Sequence, residues 1–150
     1  MTKLEEIKTE IKNIAESVPG IGKVYDRMVY AKDQQQLKEL FTQDGVINTL
    51  MFKNRTRTVD GTESKAREVY VKRLWILKLI YSYNYDNCSE QAFDTLCENL
   101  CSTFNNNYTL NHTVLKHSFL NVTLKYDAEY HGVISHYAEM EMTTVETITN

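Results

Sequence analysis

Long apolar runs are missing from this chain of 150 residues, and none approaches the roughly 20 residues that a helix needs to cross a bilayer. Cysteine is scarce and odd in number: Cys88, Cys97 and Cys101 fall in one short region, which does not resemble the disulfide framework of a secreted domain, so reduced thiols are expected. The opening residues, Met1-Thr2-Lys3-Leu4-Glu5-Glu6, read as the start of an acidic amphipathic helix rather than a secretory signal. A soluble protein, cytosolic at synthesis, is the expectation. No internal repeat and no low-complexity linker appears, and with 42% hydrophobic residues the length suits a single domain spanning residues 1 to 150.

Catalytic signatures are missing too. There is no G-x-S-x-G elbow, P-loop, Rossmann fingerprint or H-E-x-x-H. Val18-Pro19-Gly20-Ile21-Gly22 has two glycines, but it lacks a third and follows a helix where a dinucleotide site requires a strand. Cys97 and Cys101, one helical turn apart, and the histidines His112, His117, His131 and His136 are the only residues with metal-binding character. Paired ligands such as C-x2-C or H-x3-H are absent, so the two cysteines read as small apolar residues on a helix face. His136 stands near Glu139 and Glu141, yet strand alternation sends the imidazole and the carboxylates to opposite faces. The expectation is a protein that is no enzyme and needs no metal or cofactor.

What is present is a long strand. Val69 to Tyr85, VYVKRLWILKLIYSYNY, places Val69, Val71, Trp75, Leu77, Leu79, Tyr81 and Tyr83 on one face and Leu74, Ile76 and Ile80 on the other. Such a strand is covered on both sides at its middle. Before it, Thr2 and Glu5 have capping-box spacing ahead of Leu4, Ile7, Ile11 and Ile14, which predicts a first helix ending before Pro19. A short strand over Lys23 to Ala31 follows. Asp33 then caps a second helix carrying Leu37, Leu40 and Phe41, with Asp44-Gly45 as its stop. Val46 to Val59 reads as a strand leading to a turn at Asp60-Gly61. After the organising strand, Asn87 and Glu90 have capping spacing for a third helix with Phe93, Leu96, Cys97, Leu100 and Phe104, closed by Asn105-Asn106-Asn107. Two further strands are predicted, Val114 to Tyr126 and Val133 to Ile148; in the last, Glu139 and Glu141 form an acidic outer face. The expected class is α+β: a mainly antiparallel sheet with a long β-hairpin and helices packed mostly on one face.

Charge is unevenly spread. Residues 1 to 52 carry 7 basic and 8 acidic side chains, residues 53 to 85 carry 8 and 3, and residues 86 to 150 carry 2 and 9. A basic middle and an acidic C-terminal half complement each other between copies of the chain, or equally within one sheet. The basic excess falls on a predicted hairpin over 53 to 68, expected as a protruding two-stranded ribbon. Lys53, Arg55 and Arg57 are placed on one face of its outgoing arm, with Lys65, Arg67, Lys72 and Arg73 on the tip and returning arm. These residues suffice for nonspecific phosphate contacts; a solvated hairpin, or one docked on an acidic protein surface, explains them equally well.

The opening helix followed by Val18-Pro19-Gly20-Ile21-Gly22-Lys23-Val24-Tyr25, the strand start Val46-Ile47-Asn48, the long hairpin and the closing His136-Tyr137-Ala138-Glu139-Met140-Glu141-Met142 together resemble small tail proteins of tailed bacteriophages and phage-tail-like particles, most of all the tail terminator or tail-completion type. Where that family pattern has a tryptophan soon after the Ile-Asn pair, this chain has Leu50 and Met51. The resemblance implies a structural virion protein that forms a ring, typically of six copies, on the head-proximal end of the tail. Such a ring ends tube and sheath polymerisation and joins the tail to the neck. The implied partners are further copies of the chain, the tail tube and sheath proteins and the neck or connector protein, with nonspecific DNA contact in the lumen and no membrane. A head-tail joining protein is the alternative, and a small enzyme or soluble binding module is the reading from a different class. On the ring reading the assembly contacts fall to Lys53, Arg55, Arg57, Lys65 and Arg67 of the hairpin and to Glu139 and Glu141 of the last strand.

Overall fold

The computed structural model describes residues 1–61, 69–84 and 89–148. The first helix, α1 (Lys3–Glu16), begins in the capping box anticipated above: Thr2 N–H donates to Glu5 Oε2 at 2.9 Å and Glu5 N–H to Thr2 Oγ1 at 3.2 Å. Its buried stripe is Ile7, Ile11, Ile14 and Ala15. The chain then turns through Gly20, at φ 84°, into a short strand β1 (Lys23–Tyr25).

Asp33 caps α2 (Gln34–Phe41) by accepting from Gln36 N–H at 2.8 Å. The Asp44-Gly45 pair does not end this helix. It forms instead the two-residue turn of a hairpin between β2 (Thr42–Gln43) and β3 (Val46–Gly61), with both residues at positive φ. That is the geometry for which Asp-Gly is favoured, because both central positions need φ above zero. The organising strand is β4 (Val69–Ser82). After α3 (Ser89–Asn105) come β5 (Lys116–His117), β6 (Asn121–Tyr130) and β7 (Val133–Ile148). The Asn87 cap lies outside the described residues.

The sheet is mixed but mostly antiparallel, in the order β1-β3-β4-β7-β5, with β2 also on β3 and β6 also on β7. β1 runs parallel to β3, and every other pairing is antiparallel. This is the α+β class expected. Alternation along β4 sends Trp75, Leu77 and Leu79 into the main core with α1 and α3, where Phe52, Phe93, Leu100, Phe104, Met140 and Met142 meet them. On the opposite face Ile80 packs with Leu37 and Phe41 of α2 and with Ile47 and Met51. Two helices therefore share one face, and α2 alone covers part of the other. No helix among the described residues is long and apolar enough to cross a membrane.

Two strands differ from the reading of the sequence. The strand expected to reach Ala31 stops at Tyr25, because its only partner among the described residues is the Thr49 to Met51 stretch of β3; Met28, Val29 and Ala31 then pack in the second core instead. The strand expected over Val114 to Tyr126 is split. His117 turns inward to the end of α3, with Nε2 2.7 Å from the Phe104 carbonyl oxygen, and Asn105 Oδ1 accepts from Leu120 N–H at 3.3 Å. These contacts interrupt the ladder between β5 and β6.

Candidate functional site

Of the hairpin expected over 53 to 68, residues 53 to 61 are described, and there the outgoing arm is the edge of a three-stranded structure. β4 pairs with β3 from Gly61↔Val69 to Asn48↔Tyr81, and on its other side it pairs with β7 over its whole length, from Val69↔Ile148 to Ser82↔Ser135. The region is rooted by buried polar pairs. Arg73 and Glu146 are buried and joined Nε to Oε1 at 2.5 Å, and Trp75 Nε1–H donates to Thr144 Oγ1 at 2.9 Å. Arg73 is therefore engaged inside the sheet and withdrawn from the basic residues available to phosphate. Lys72 pairs across the strands with Asp60 at 3.2 Å, exposed to solvent.

Lys53, Arg55 and Arg57 do not share a face. The register of β3 against β4 shifts between Asn54 and Thr56, leaving Arg55 as the extra residue of a β-bulge. Asn54 Nδ2 holds the bulge by donating to the carbonyls of Thr56 at 2.9 Å and Leu74 at 3.1 Å. Lys53 stands opposite Ile76, whereas Arg57 stands opposite Arg73, on the side of the sheet that carries Trp75 and the helices. All three are exposed. Lys65 and Arg67 lie outside the described residues.

Glu139 and Glu141 occupy the face of β7 turned away from α1 and α3, as alternation requires. That face is not acidic alone. Glu139 pairs with Lys78 across β4 and β7, with Nζ and Oε1 4.0 Å apart, and Glu141 shares a row with Ile76 and Lys53. With neighbouring strands about 4.8 Å apart, Lys53 and Glu141 bracket Ile76 across roughly 10 Å. The structure thus brings Lys53, Lys78, Glu139 and Glu141 into one belt of mixed charge, and sets Arg57 on the other side.

Beside this belt lies a cavity of about 160 Å³ that no sequence pattern announced, lined by Met28, Val29, Leu37, Ile80, Tyr130 and Tyr137 among others. Its signal was indirect: Met28, Val29 and Tyr30 are apolar yet leave the strand that their alternation suggested. Burial, then the nearby Glu139 carboxylate, raises the pKa of both Tyr130 and Tyr137, so both phenols stay protonated well above neutral pH.

The chemistry-bearing residues elsewhere are built into the core. His136 is fully buried, stacked on Phe93 with ring centroids 5.1 Å apart and flanked by Tyr83 and Tyr126. Its Nε2 lies 2.9 Å from Ser89 Oγ, which itself accepts from Asn84 N–H at 2.7 Å, while Nδ1 has no partner among the described residues. A serine and a histidine thus meet with the hydroxyl buried, and among the described residues no carboxylate bonds to the ring; the pair joins the start of α3 to β7. Burial, with Cys101, Asp94 and Glu98 adding to it, pushes the Cys97 thiol up to about 12, which keeps it a protonated, apolar packing group. Among the described residues no three His, Cys, Asp or Glu side chains gather as a metal site.

Two of the segments that carried the resemblance meet in space: β1 lies along β3 with Lys23 opposite Thr49, and Asn48 Nδ2 donates to the Gly20 carbonyl at 2.8 Å. Compared with known proteins, the chain matches no protein-family model and no curated protein.

Proposed function

We propose that this chain is a structural subunit of a tailed phage or phage-tail-like particle, forming a ring of six copies at the head-proximal end of the tail. There it ends polymerisation of tube and sheath and presents a surface to the neck or connector protein. The residues quoted for the resemblance motivate the reading, and one structural observation supports it most: from Lys53 to Gly61 the edge of the sheet is exposed at every residue but Asn54, and it carries Lys53, Arg55 and Arg57. A strand edge exposes unpaired backbone groups, and basic side chains with a bulge such as that at Arg55 limit what can pair with it. In an assembling subunit such an edge selects its neighbour.

On this reading the belt of Lys53, Lys78, Glu139 and Glu141 meets tube or neck protein, and any contact with DNA in the lumen is through exposed basic side chains and is nonspecific. The protein is made in the host cytoplasm and ends in the virion. Electron microscopy of particles labelled through this chain tests the placement. Label at the junction between tail and neck supports the reading; label along the tube or at the baseplate overturns it. A head-tail joining protein is separated by making tails without heads, since it would stay with the capsid connector.

A further inference from the structure

We propose that copies of this chain join by β-strand addition, the outer edge of β3 beyond Met51 in one copy receiving the outer edge of β6 from the next. The inference rests on the ring reading for its setting, but its grounds lie in the sheet itself. β1 and β2 cover β3 only as far as Met51, and among the described residues no element pairs with the outer side of β3 from Phe52 to Gly61. At the opposite edge, β6 pairs among the described residues with β7 alone. Among the described residues the sheet therefore ends in two strand edges of similar length, each irregular at one point, β3 at the Arg55 bulge and β6 between Lys125 and Ala128.

Three features make these edges complementary. Strand direction is the first. β3 and β7 are both antiparallel to β4, and β6 is antiparallel to β7, so β6 runs antiparallel to β3. Copies related by rotation about a ring axis to which the strands are inclined keep the sense of those directions at each junction, which becomes one more antiparallel ladder. Charge is the second: the free part of β3 carries Lys53, Arg55 and Arg57 against Asp60, whereas β6 carries Glu129 with Lys125 and has no basic excess to repel that edge. Pairing β3 with another β3 would set the three basic residues against their own copies, which like-charge repulsion disfavours. The third is apolar. Val59 and Leu124 are 54% and 41% exposed, and their register places both on the face of the sheet that holds Trp75 and Leu79. Joining the edges buries each against the other.

The junction is heterologous, so it builds a ring if the rotation closes. It also sets an offset. Val59 is level with Val71 and Leu124 with Leu79 along β4, so placing the two side chains together shifts adjacent copies by eight residues, or about 26 Å at ~3.3 Å per residue. Strands must then incline to the ring axis, as they do in closed barrels.

The test mixes two full-length variants, Val59→Cys and Leu124→Cys, with a short bis-maleimide, at a concentration where light scattering gives a mass above that of one subunit. The native chain, with its own cysteines, is the control. The expected result is a chain-to-chain link between positions 59 and 124 in the mixture, absent from either variant alone and lost when Arg55→Glu and Arg57→Glu are added to the first. An oligomer without that link, or one linked 59 to 59, overturns the edge pairing and leaves the ring reading standing. A chain that stays monomeric at every concentration overturns the pairing as well, and binding to unfinished tails then decides the ring reading separately.

Discussion

Gly22 and Asn48 touch so closely that a Cβ on Gly22 would overlap the carbonyl oxygen of Asn48. The contact is made where β1 enters the sheet beside β3, and it joins the Pro-Gly-x-Gly turn to the Val-Ile-Asn strand start. These are two of the segments on which the resemblance to tail proteins rests, and the structure gives both a mechanical role. Only a residue without a side chain lets the two backbones approach so far.

Gly22→Ala is therefore expected to destabilise the fold by about 1 to 3 kcal/mol, the usual range for overpacking against groups that cannot yield. The obstacle is backbone, so the strand itself must move. Urea unfolding followed by tryptophan fluorescence measures this directly, since Trp75 is the single tryptophan.

Trp75 is fully buried, tilted against Phe52 with ring centroids 6.2 Å apart, and hydrogen-bonded to Thr144. Trp75→Ala should cost about 3 to 5 kcal/mol, against a total of about 5 to 15 kcal/mol for a typical domain. The expected outcome is a chain that fails to fold or unfolds near physiological temperature. Trp75→Phe keeps most of the volume and loses the bond to Thr144, so circular dichroism should show a folded protein with a lowered melting temperature.

The buried Arg73–Glu146 pair should behave asymmetrically. Glu146→Gln leaves the guanidinium buried without its counter-charge, at a cost of about 3 to 5 kcal/mol, whereas replacing both partners by apolar residues, Arg73→Met with Glu146→Leu, recovers most of that loss. Thermal melts of the single and double variants distinguish the two outcomes. Equal destabilisation by both would mean that the pair contributes more than charge compensation.

The thiol of Cys97 is held up to about 12 in the folded chain, against an ordinary value of 9.0. Its contribution to stability is fully present below pH 9 and is lost as pH rises toward 12, because the unfolded chain releases that proton first. Stability should decline with pH over that window, and Cys97→Ala should make the decline shallower. Tyr130, Tyr137 and Cys101 are shifted in the same direction, so part of the slope remains.

The local patterns were legible in the residues. Thr2 and Glu5 capped α1, Val133 to Ile148 was read at the bounds observed for β7, and alternation through Trp75, Leu77 and Leu79 gave the main core face. What could not be read depends on partners distant in sequence. Arg73 looked like one more solvated basic residue because Glu146, its partner, lies 73 positions away. Lys53 and Arg57 looked coplanar because a bulge at Arg55 leaves no mark on alternation until the partner strand is known. Asp44-Gly45 was seen as a break, but whether it stops a helix or turns a hairpin depended on Thr42 and Gln43 finding Val46 and Ile47. The cavity under Met28 and Val29 was hidden for the same reason, since α2 crosses to the face opposite α1 and α3.

Arg55→Glu with Arg57→Glu separates folding from assembly. Both side chains are exposed and stand outside the core, so circular dichroism and the melting temperature should stay close to those of the native chain. Self-association by analytical ultracentrifugation should weaken. Normal assembly of this variant would remove the basic edge from the account.

The most direct measurement is the length of tails made in the absence of this protein, recorded by electron microscopy before and after the purified chain is added. Without it tubes of irregular length are expected, and with it a ring seated on the head-proximal end that blocks further growth and permits joining to heads. Tails of uniform, capped length in its absence, or purified chain that leaves growing tails unchanged, would contradict the ring reading.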